Sequence, residues 1–429
     1  MSEVVHAPAS TVAPTFVEVP TITKSMVVSK LPMTMIKTLS LRDFHDLKTR
    51  PKFLQDMRDS LMKIGTFYIK DHGISTEMTS GAMKTIREYF ALPLEEKKKM
   101  HIVHSRHFRG YKLMVYLMLT YGSFISNPLG RTVSKTTGEE VTNNQVDHRE
   151  QLQFAPEQTP LESFRPTISP DYEGLQGPNQ WPASTLTLLP HFKPCILEFM
   201  DQLEILSHQL MEAVALSLGL PGSYFRHLFG ESPYYRLKSA KYPSVNKPST
   251  IGCGAHKDTG FLTVLLQDMV GGLQGQDPVT GQWLDTKPIP GTFIVTMGES
   301  IEKLTGGLYH ATVHRVMNNT SGKDRYSIPF FFDPSLSARI PFKIENLATS
   351  ARLDFETMVA ESNSNVNNSS SSSTKPDGKM EQLVHRMSLT NVGPSRSSSQ
   401  EGWSSGAHVF DTVHRCHPEV YSRWYCREY

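Results

Sequence analysis

The chain changes its hydrophobic periodicity near Tyr235, and this change constrains its fold more than any other feature. Before it, apolar residues recur every three or four positions, which is the spacing of amphipathic helices. After it, short apolar runs such as 260–267, 291–298 and 326–333 are separated by Gly and Pro, which predicts strands. Helices followed by many short strands are typical of a β-barrel or sandwich with helices packed outside it.

Three helices are predicted in the first part of the chain. The apolar spacing after Arg50 predicts a helix that ends at Gly65, with a short strand after it. Ser75 is a favourable N-cap for the next helix, and Pro93 stops that helix. The range 194–218 predicts a long helix with one apolar stripe and acidic residues on the other face.

Composition divides the chain into segments. We expect a flexible lead-in over 1–40, an N-terminal helical and strand domain over 41–160, and a core domain with its scaffold helix over 185–345. In the range 362–405, 14 of 44 residues are Ser, so this segment buries too little apolar surface to fold and is predicted to be a disordered insert. An apolar C-terminal segment over 406–429 is expected to be ordered.

The overall charge limits the classes of partner. Lys and Arg number 44 against 42 Asp and Glu, which gives a net charge of +2, too balanced for an electrostatic binder of nucleic acid or membranes. No apolar run reaches the length of a membrane span, and the first residues lack a secretory signal pattern. Four cysteines in 429 residues fit a reducing compartment. We therefore expect a cytoplasmic protein with a small-molecule partner; the oligomeric state is open.

Two histidines and one carboxylate form a possible metal site. His256 and Asp258 are two residues apart, so on a strand both would project from the same face. Most His-x-Asp pairs are surface residues, but His314, 56 residues after Asp258, offers a third ligand. Two His and one carboxylate occupy one face of an octahedron and leave three positions open, as in ferrous oxygenases.

A second pair of residues suits an acidic cosubstrate. Arg325 and Ser327 are two residues apart in an otherwise apolar strand. The planar guanidinium matches a carboxylate, and the hydroxyl adds a donor on the same face. A surface ion pair is the alternative for Arg325, and the apolar strand around it argues against that.

These motifs resemble the isopenicillin N synthase-like family of non-haem Fe(II), 2-oxoglutarate-dependent dioxygenases. The matching blocks are 65–74, 90–97, 108–111, 146–152, 254–269, 271–276, 290–299, 314–316 and 325–334. The resemblance implies an α+β fold with a double-stranded β-helix (jelly-roll) core, an N-terminal helical cap and flanking helices. It also implies Fe(II) as cofactor, with 2-oxoglutarate and O2 as cosubstrates. The implied reaction is hydroxylation, desaturation or cyclisation of a small organic molecule, with release of succinate and CO2.

The resemblance also assigns residues to roles. It implies that the iron ligands are His256, Asp258 and His314, and that 2-oxoglutarate contacts Arg325, Ser327 and Tyr242. By rougher matching, the expected substrate contacts are Arg109, Tyr111, Arg149 and Phe332. Two positions depart from the family pattern, because Ala240 replaces a frequent Asn and Ala311 replaces a frequent Ser or Thr.

Other functions stay open at this point. A ferrous oxidase of the same fold that uses no 2-oxoglutarate would keep the same residues. A zinc hydrolase would also use two His and a carboxylate, but Ala311 stands where a metalloprotease would need Glu after His310. A nucleic-acid demethylase would need a second Arg six residues after Arg325, and Phe331 stands there. A non-catalytic binding protein is the remaining alternative.

Two stretches interrupt the matching blocks. The ranges 23–38 and 112–127 separate segments that lie closer together in the family. Our hypothesis is that both are insertions or retained intervening sequence, which sequencing of the mature transcript would distinguish.

Overall fold

The computed structural model describes residues 36–113, 146–160, 170–230, 232–245, 250–278, 280–344, 347 and 402–425. The strands are β1 (Thr38–Ser40), β2 (Thr66–Lys70), β3 (Gly110–Leu113), β4 (Val146–Asp147), β5 (Glu150–Phe154), β6 (Tyr234–Tyr242), β7 (Thr250–Ile251), β8 (Cys253–His256), β9 (Leu262–Gln267), β10 (Leu273–Gln276), β11 (Trp283–Asp285), β12 (Phe293–Met297), β13 (His314–Val316), β14 (Arg325–Asp333), β15 (Arg339–Pro341) and β16 (Gly402–Ser404). The helices are α1 (Leu41–His45), α2 (Arg50–Lys63), α3 (Thr76–Ala91), α4 (Leu94–Lys98), α5 (Ala183–Leu188), α6 (Phe192–Ser217), α7 (Arg226–Phe229), α8 (Glu299–Leu304), α9 (Ser405–Cys416) and α10 (Pro418–Trp424). Short 3-10 turns lie at Ile102–His104 and Asp171–Leu175.

Two mostly antiparallel sheets carry the elements that matter for function. The larger sheet has eight strands in the order β1-β2-β12-β9-β14-β6-β5-β3, and the smaller has four in the order β11-β10-β13-β8. Neighbours in these sheets are mostly distant in sequence, as expected for a jelly roll. The α+β fold predicted from the sequence, with a double-stranded β-helix core, is confirmed.

Helices cover one face of the eight-stranded sheet. On β14, Arg325 and Ser327 project from one face, which we call the inner face, while Phe330 and Phe332 project from the other, the outer face. The outer face packs against α6: the Phe332 ring lies 5.0 Å from that of His208. On β14, Ile328, Phe330 and Phe332 of this face are fully buried, so helices cover the outer face there and leave the inner face for function.

The helices follow the predicted pattern. Helix α2 ends before Gly65, whose φ of +87° suits glycine, and a Cβ there would clash with the carbonyl of His310. The Ser75 hydroxyl accepts a hydrogen bond from the Met78 N–H and caps α3. Helix α6 starts two residues before Pro194, and its predicted apolar stripe is buried.

The structure places strand or helix residues inside three segments whose boundaries were predicted from the sequence. The lead-in over 1–40 includes β1, which pairs in parallel with β2. The proposed insertion over 112–127 begins inside β3, because Lys112 pairs with Gln151. The predicted disordered insert over 362–405 overlaps β16 and the first residue of α9. The rest of these segments, including most of 23–38, lies outside the described residues.

The predicted N-terminal and core ranges share one sheet. Strands β2, β3 and β5 come from 41–160, and each pairs with another strand of the eight-stranded sheet. The predicted cap is therefore joined to the core by backbone hydrogen bonds. In the described residues, the structure contains no helix with the length and apolarity that a bilayer span requires.

The Ser-rich segment provides a test of these boundaries. We expect deletion of 362–401 to leave Fe(II) binding and thermal stability unchanged. Extending the deletion to 405 removes β16, which pairs with β15, and removes Ser404, whose hydroxyl caps α9 through the Ala407 N–H. Loss of the cap alone costs about 1 kcal/mol. Thermal unfolding of the two deletion variants checks this: equal melting temperatures would show that β16 and the cap contribute nothing.

Candidate active site

Three ligand-type side chains meet between the two sheets. The Oδ1 atom of Asp258 lies 3.9 Å from Nε2 of His256 and 3.8 Å from Nε2 of His314. One ligand atom from each residue lies within 4.8 Å of those of the other two. The structure thus brings together the three residues that the sequence predicts as metal ligands.

The positions of these three residues relative to the strands differ partly from the predicted ones. Strand β8 ends at His256, so Asp258 lies in the loop after the strand and not on its face. The prediction that both project from one strand face is wrong, although the side chains do converge. His314 begins β13 and pairs with His256, and a β-bulge follows it on the same strand. Such bulges redirect side chains near functional sites.

Hydrogen bonds from the backbone fix both imidazole rings. The Nδ1 atom of His256 lies 2.8 Å from the Gly254 carbonyl, and Nδ1 of His314 lies 3.0 Å from the Thr312 carbonyl. A carbonyl accepts only, so each Nδ1 carries the proton and each Nε2 presents its lone pair to the Asp258 side. Burial and the neighbouring His256 lower the pKa of His314, which favours the neutral, metal-binding form.

Asp258 is also held by a neighbour. The Thr263 hydroxyl on β9 donates to Oδ2 of Asp258 at 2.7 Å, which leaves Oδ1 facing the two imidazoles. Asp258 is buried. Two imidazole nitrogens and a carboxylate oxygen, each oriented by a second partner, form a donor set that fits ferrous iron.

A buried guanidinium lies on the inner face near this site. The Arg325 side chain is 1% exposed, and its Nη1 and Nη2 donate to Ser327 Oγ at 3.3 Å and Gln267 Oε1 at 3.2 Å. Its Nε has no hydrogen-bond partner, and within the described residues no carboxylate lies at ion-pair distance from it. An unpaired buried cation is costly, so the site fits an anionic ligand such as the carboxylate of 2-oxoglutarate.

Tyr242 completes this part of the inner face. It pairs with Arg325 across β6 and β14, and the Arg325 guanidinium lies 4.8 Å from the Tyr242 ring centre. Ser327 pairs with Gln267 on β9, the strand that also carries Thr263 on the same face. Strand β9 therefore contacts both parts of the site: Thr263 contacts Asp258, and Gln267 contacts Arg325.

Comparison with known proteins agrees with this geometry. Residues 232–334 match the model of the 2OG-Fe(II) oxygenase superfamily, and residues 36–117 match the model described as non-haem dioxygenase in morphine synthesis N-terminal. The 1-aminocyclopropane-1-carboxylate oxidase of Dictyostelium mucoroides is 31% identical over 351 residues, which cover 74% of this chain and 85% of the relative. The chain belongs to the 2OG-Fe(II) oxygenase superfamily. It is an Fe(II)- and 2-oxoglutarate-dependent dioxygenase, as the sequence motifs predict.

Further comparisons support the family and the fold. A 2-oxoglutarate-dependent dioxygenase, frbJ, of Dothideomycetidae sp. is 33% identical over 312 residues, which cover 71% of this chain and 75% of the relative. A full-length Neurospora crassa protein, solved in complex with alpha-KG and 5-formyluracil, superposes with a TM-score of 0.57 at 23% identity, covering 82% of this chain and 96% of that one. At that identity the structural likeness shows the jelly-roll fold alone.

Three of the four predicted substrate contacts lie away from the inner face of the dioxygenase. Arg109 donates to the main-chain carbonyls of residues 156, 175 and 177. The Tyr111 hydroxyl donates to Glu150 at 2.7 Å on the outer face, and the Phe332 ring stacks 4.6 Å from that of Phe229. All three side chains are buried and take part in ring packing or structural hydrogen bonds, so nothing in the structure supports a substrate contact for them.

Arg149 is the remaining predicted substrate contact. It directly precedes β5, and Gln151 on that strand pairs with Ala240, the partner of Ser327 on the inner face. With its amide oxygen turned toward Arg149, Gln151 accepts from the Arg149 guanidinium at 2.9 Å. Arg149 therefore stays a predicted substrate contact near the inner face.

The sequence reasoning missed two residues of the site. Thr263 orients Asp258, and Gln267 accepts from Arg325. Their signal was present in the strand over 260–267: both occupy alternate positions that place polar groups on one face of an apolar run.

We expect Thr263→Val to weaken Fe(II) binding by roughly 10-fold to 100-fold, the usual effect of losing a hydrogen bond to a metal ligand. The substitution keeps the shape of the side chain but removes the donor to Asp258. Metal titration of the purified variant measures the change. Thr296→Val on the adjacent strand is the matched control, because the Thr296 hydroxyl contacts Thr66 and not Asp258. If both variants weakened Fe(II) binding equally, Thr263 would have no specific role in holding Asp258.

Proposed function

We propose that His256, Asp258 and His314 bind the catalytic Fe(II) of this dioxygenase. The observation that carries the proposal is the convergence of their ligand atoms within 4.8 Å, with both Nε2 atoms and one carboxylate oxygen facing one point. When bound, ferrous iron supplies the activation of O2 and the oxidative decarboxylation of 2-oxoglutarate. The chain supplies ligands whose tautomer and orientation are fixed in advance.

Arg325, Ser327 and Tyr242 are proposed to hold 2-oxoglutarate. The guanidinium and hydroxyl would bind its distal carboxylate, which removes the cost of a buried, unpaired Arg325. The Tyr242 ring lies against the guanidinium and restricts its orientation. The cosubstrate would then extend along β9 toward Asp258, with its keto acid end at the metal.

The prime substrate is proposed to be a small organic molecule of secondary metabolism, with hydroxylation as the default outcome and desaturation or cyclisation as variants. We propose a cytoplasmic enzyme without a nucleic-acid or membrane partner. The balanced composition, with a net charge of +2, supports this, as do the free thiols of Cys195 and Cys416.

Succinate formation tests the proposed function. Purified protein incubated with Fe(II), O2 and 2-oxoglutarate is expected to release succinate slowly, and faster when a small-molecule substrate is added. Omission of Fe(II) and the Arg325→Ala variant serve as controls. Substrate oxidation without a matching amount of succinate would instead favour a ferrous oxidase that uses no 2-oxoglutarate. The absence of iron-dependent succinate and of any oxidation would contradict both.

A further inference from the structure

Several side chains on the inner face of the eight-stranded sheet are only half-buried. On β14 the outer-face residues Ile328, Phe330 and Phe332 are fully buried, whereas Pro329 and Phe331 on the inner face keep accessible surface. The half-buried inner-face side chains next to the candidate active site are Lys238, Leu265, Pro329 and Phe331. Half-buried side chains on this face, beside fully buried ones on the other face of the same strand, indicate that space remains on the inner side of the sheet.

One of these half-buried side chains is a lysine that has no hydrogen-bond or ion-pair partner among the described residues. Lys238 is on β6, two residues before Ala240, the partner of Ser327, and therefore shares the inner face with the 2-oxoglutarate residues. Within the described residues, its ammonium group makes neither a hydrogen bond nor an ion pair. Its contact is the Phe331 ring, 5.6 Å from Nζ.

Two carboxylates near Lys238 already form ion pairs with other cations. Lys112 Nζ lies 2.8 Å from Glu419, and Arg236 lies 3.5 Å from Asp333. Both carboxylates are thereby neutralised. The Lys238 ammonium lies close enough to Arg236 and Arg149 for both cations to lower its pKa.

The surroundings of Lys238 disfavour its charged form. Burial lowers its pKa to about 8, and the positive charges of Arg236 and Arg149 contribute to the lowering. The group remains mostly protonated at neutral pH. An ammonium in this environment gains from a bound anion, because the anion would supply both the missing hydrogen-bond acceptor and the missing charge.

Lys238 lies close enough to the candidate metal ligands for one small molecule to reach both. Strands β6 and β9 both pair with β14, so their backbones are about 10 Å apart. Thr263 on β9 contacts Asp258, and Phe331 pairs with Thr263 on β14. Phe331 therefore lies between the metal ligands and Lys238, within the length of one small molecule.

We propose that Lys238 binds a carboxylate of the prime substrate, whose apolar body lies against Phe331 and Pro329 on the way to the metal. The proposal rests on the proposed function and adds the substrate class: a small apolar or aromatic acid. The distal carboxylate of 2-oxoglutarate already has Arg325 and Ser327, so Lys238 is available for a second anion.

Matched acids and amides test the proposal. The protein is loaded with Mn(II) in place of Fe(II) and saturated with 2-oxoglutarate, and calorimetry measures binding of phenylacetate, cinnamate and decanoate, each beside its neutral primary amide. At least one acid is expected to bind wild type about tenfold more tightly than its amide, as for a hydrogen bond to a charged group. In Lys238→Met the preference is expected to disappear, and in Lys238→Arg to persist.

The same titrations separate the possible failures. Lys238→Met removes a half-buried charge that has no ion-pair partner among the described residues, so folding should be kept, and unchanged binding of Mn(II) and 2-oxoglutarate confirms that. A preference for acids that survives in Lys238→Met, or no preference for any acid in wild type, would overturn the proposal. Weaker 2-oxoglutarate binding in Lys238→Met would place Lys238 on the cosubstrate and also overturn it. Failure of wild type to bind Mn(II) or 2-oxoglutarate would contradict the proposed function itself.

Discussion

Replacement of His314 by Ala is expected to weaken Fe(II) binding more than a hundredfold and to reduce turnover by roughly a thousandfold. Loss of a hydrogen bond to a metal ligand already costs about 10-fold to 100-fold in affinity, and loss of the ligand costs more. His314 contributes one of two imidazoles whose Nε2 atoms face Asp258, and its Nδ1 is fixed by the Thr312 carbonyl. Two remaining ligands would hold the metal too weakly to position a cosubstrate.

Anaerobic titration with Fe(II), followed by equilibrium dialysis and metal analysis, measures the affinity. His227→Ala is the matched control, because His227 is exposed and its imidazole contacts the Tyr224 carbonyl in the turn just before α7. Circular dichroism checks that both variants fold. If His314→Ala bound Fe(II) as tightly as the control variant, the assignment of this residue to the metal would fail.

Arg325→Ala is expected to raise the dissociation constant of 2-oxoglutarate by roughly 30-fold to several thousandfold. Truncation of one partner of a buried, hydrogen-bonded charge pair costs about 2–5 kcal/mol, and each 1.4 kcal/mol is about tenfold. Arg325 is 1% exposed and has no carboxylate partner among the described residues, so a bound carboxylate would be desolvated with it. Removal of Ser327 Oγ by Ser327→Ala should have a smaller effect, about tenfold.

Calorimetric titration of 2-oxoglutarate into the Mn(II)-loaded protein measures these constants. Arg315→Ala provides a control of matched chemistry, because Arg315 stacks 4.0 Å from the Trp283 ring centre and donates to Gln274 at 2.9 Å on the other sheet. Metal affinity should be unchanged in every one of these variants. Comparable losses in Arg315→Ala and Arg325→Ala would indicate a general effect of charge and not a specific carboxylate site.

Much of the site could be predicted because its signals are local. His256 and Asp258 are close in sequence, Arg325 and Ser327 share one strand face, and His314 follows at the family spacing. Periodicity alone placed α2, α3 and α6, because each buries one apolar stripe. These predictions needed no knowledge of which strands are neighbours.

The structure places Arg109, Tyr111 and Phe332 away from the inner face, because their positions depend on strand faces and tertiary partners. Phe332 is seven residues from Arg325, so alternation along β14 already places it on the opposite face, and this signal was overlooked. Tyr111 could be assigned to a face only after the pairing of β3 with β5 was known. Arg109 resembles a binding residue until its carbonyl partners, remote in sequence, are seen.

The end of the Ser-rich segment was misplaced for a related reason. Composition predicts a boundary only to within a few residues, and Ser404 counts toward a disordered tract in sequence. In the structure its hydroxyl accepts from the Ala407 N–H at 3.2 Å and caps α9. Serine is a common N-cap before an apolar helical run. The cap pattern therefore locates the start of the helix more closely than composition does.

The visible spectrum of the anaerobic protein tests the central claim most directly. Fe(II) is added to the purified protein, and 2-oxoglutarate follows. We predict a weak metal-to-ligand charge-transfer band in wild type that requires both additions and that is lost in Arg325→Ala at the same 2-oxoglutarate concentration. A wild-type protein that binds both components without developing the band would contradict a ferrous site at His256, Asp258 and His314 with open positions for the cosubstrate.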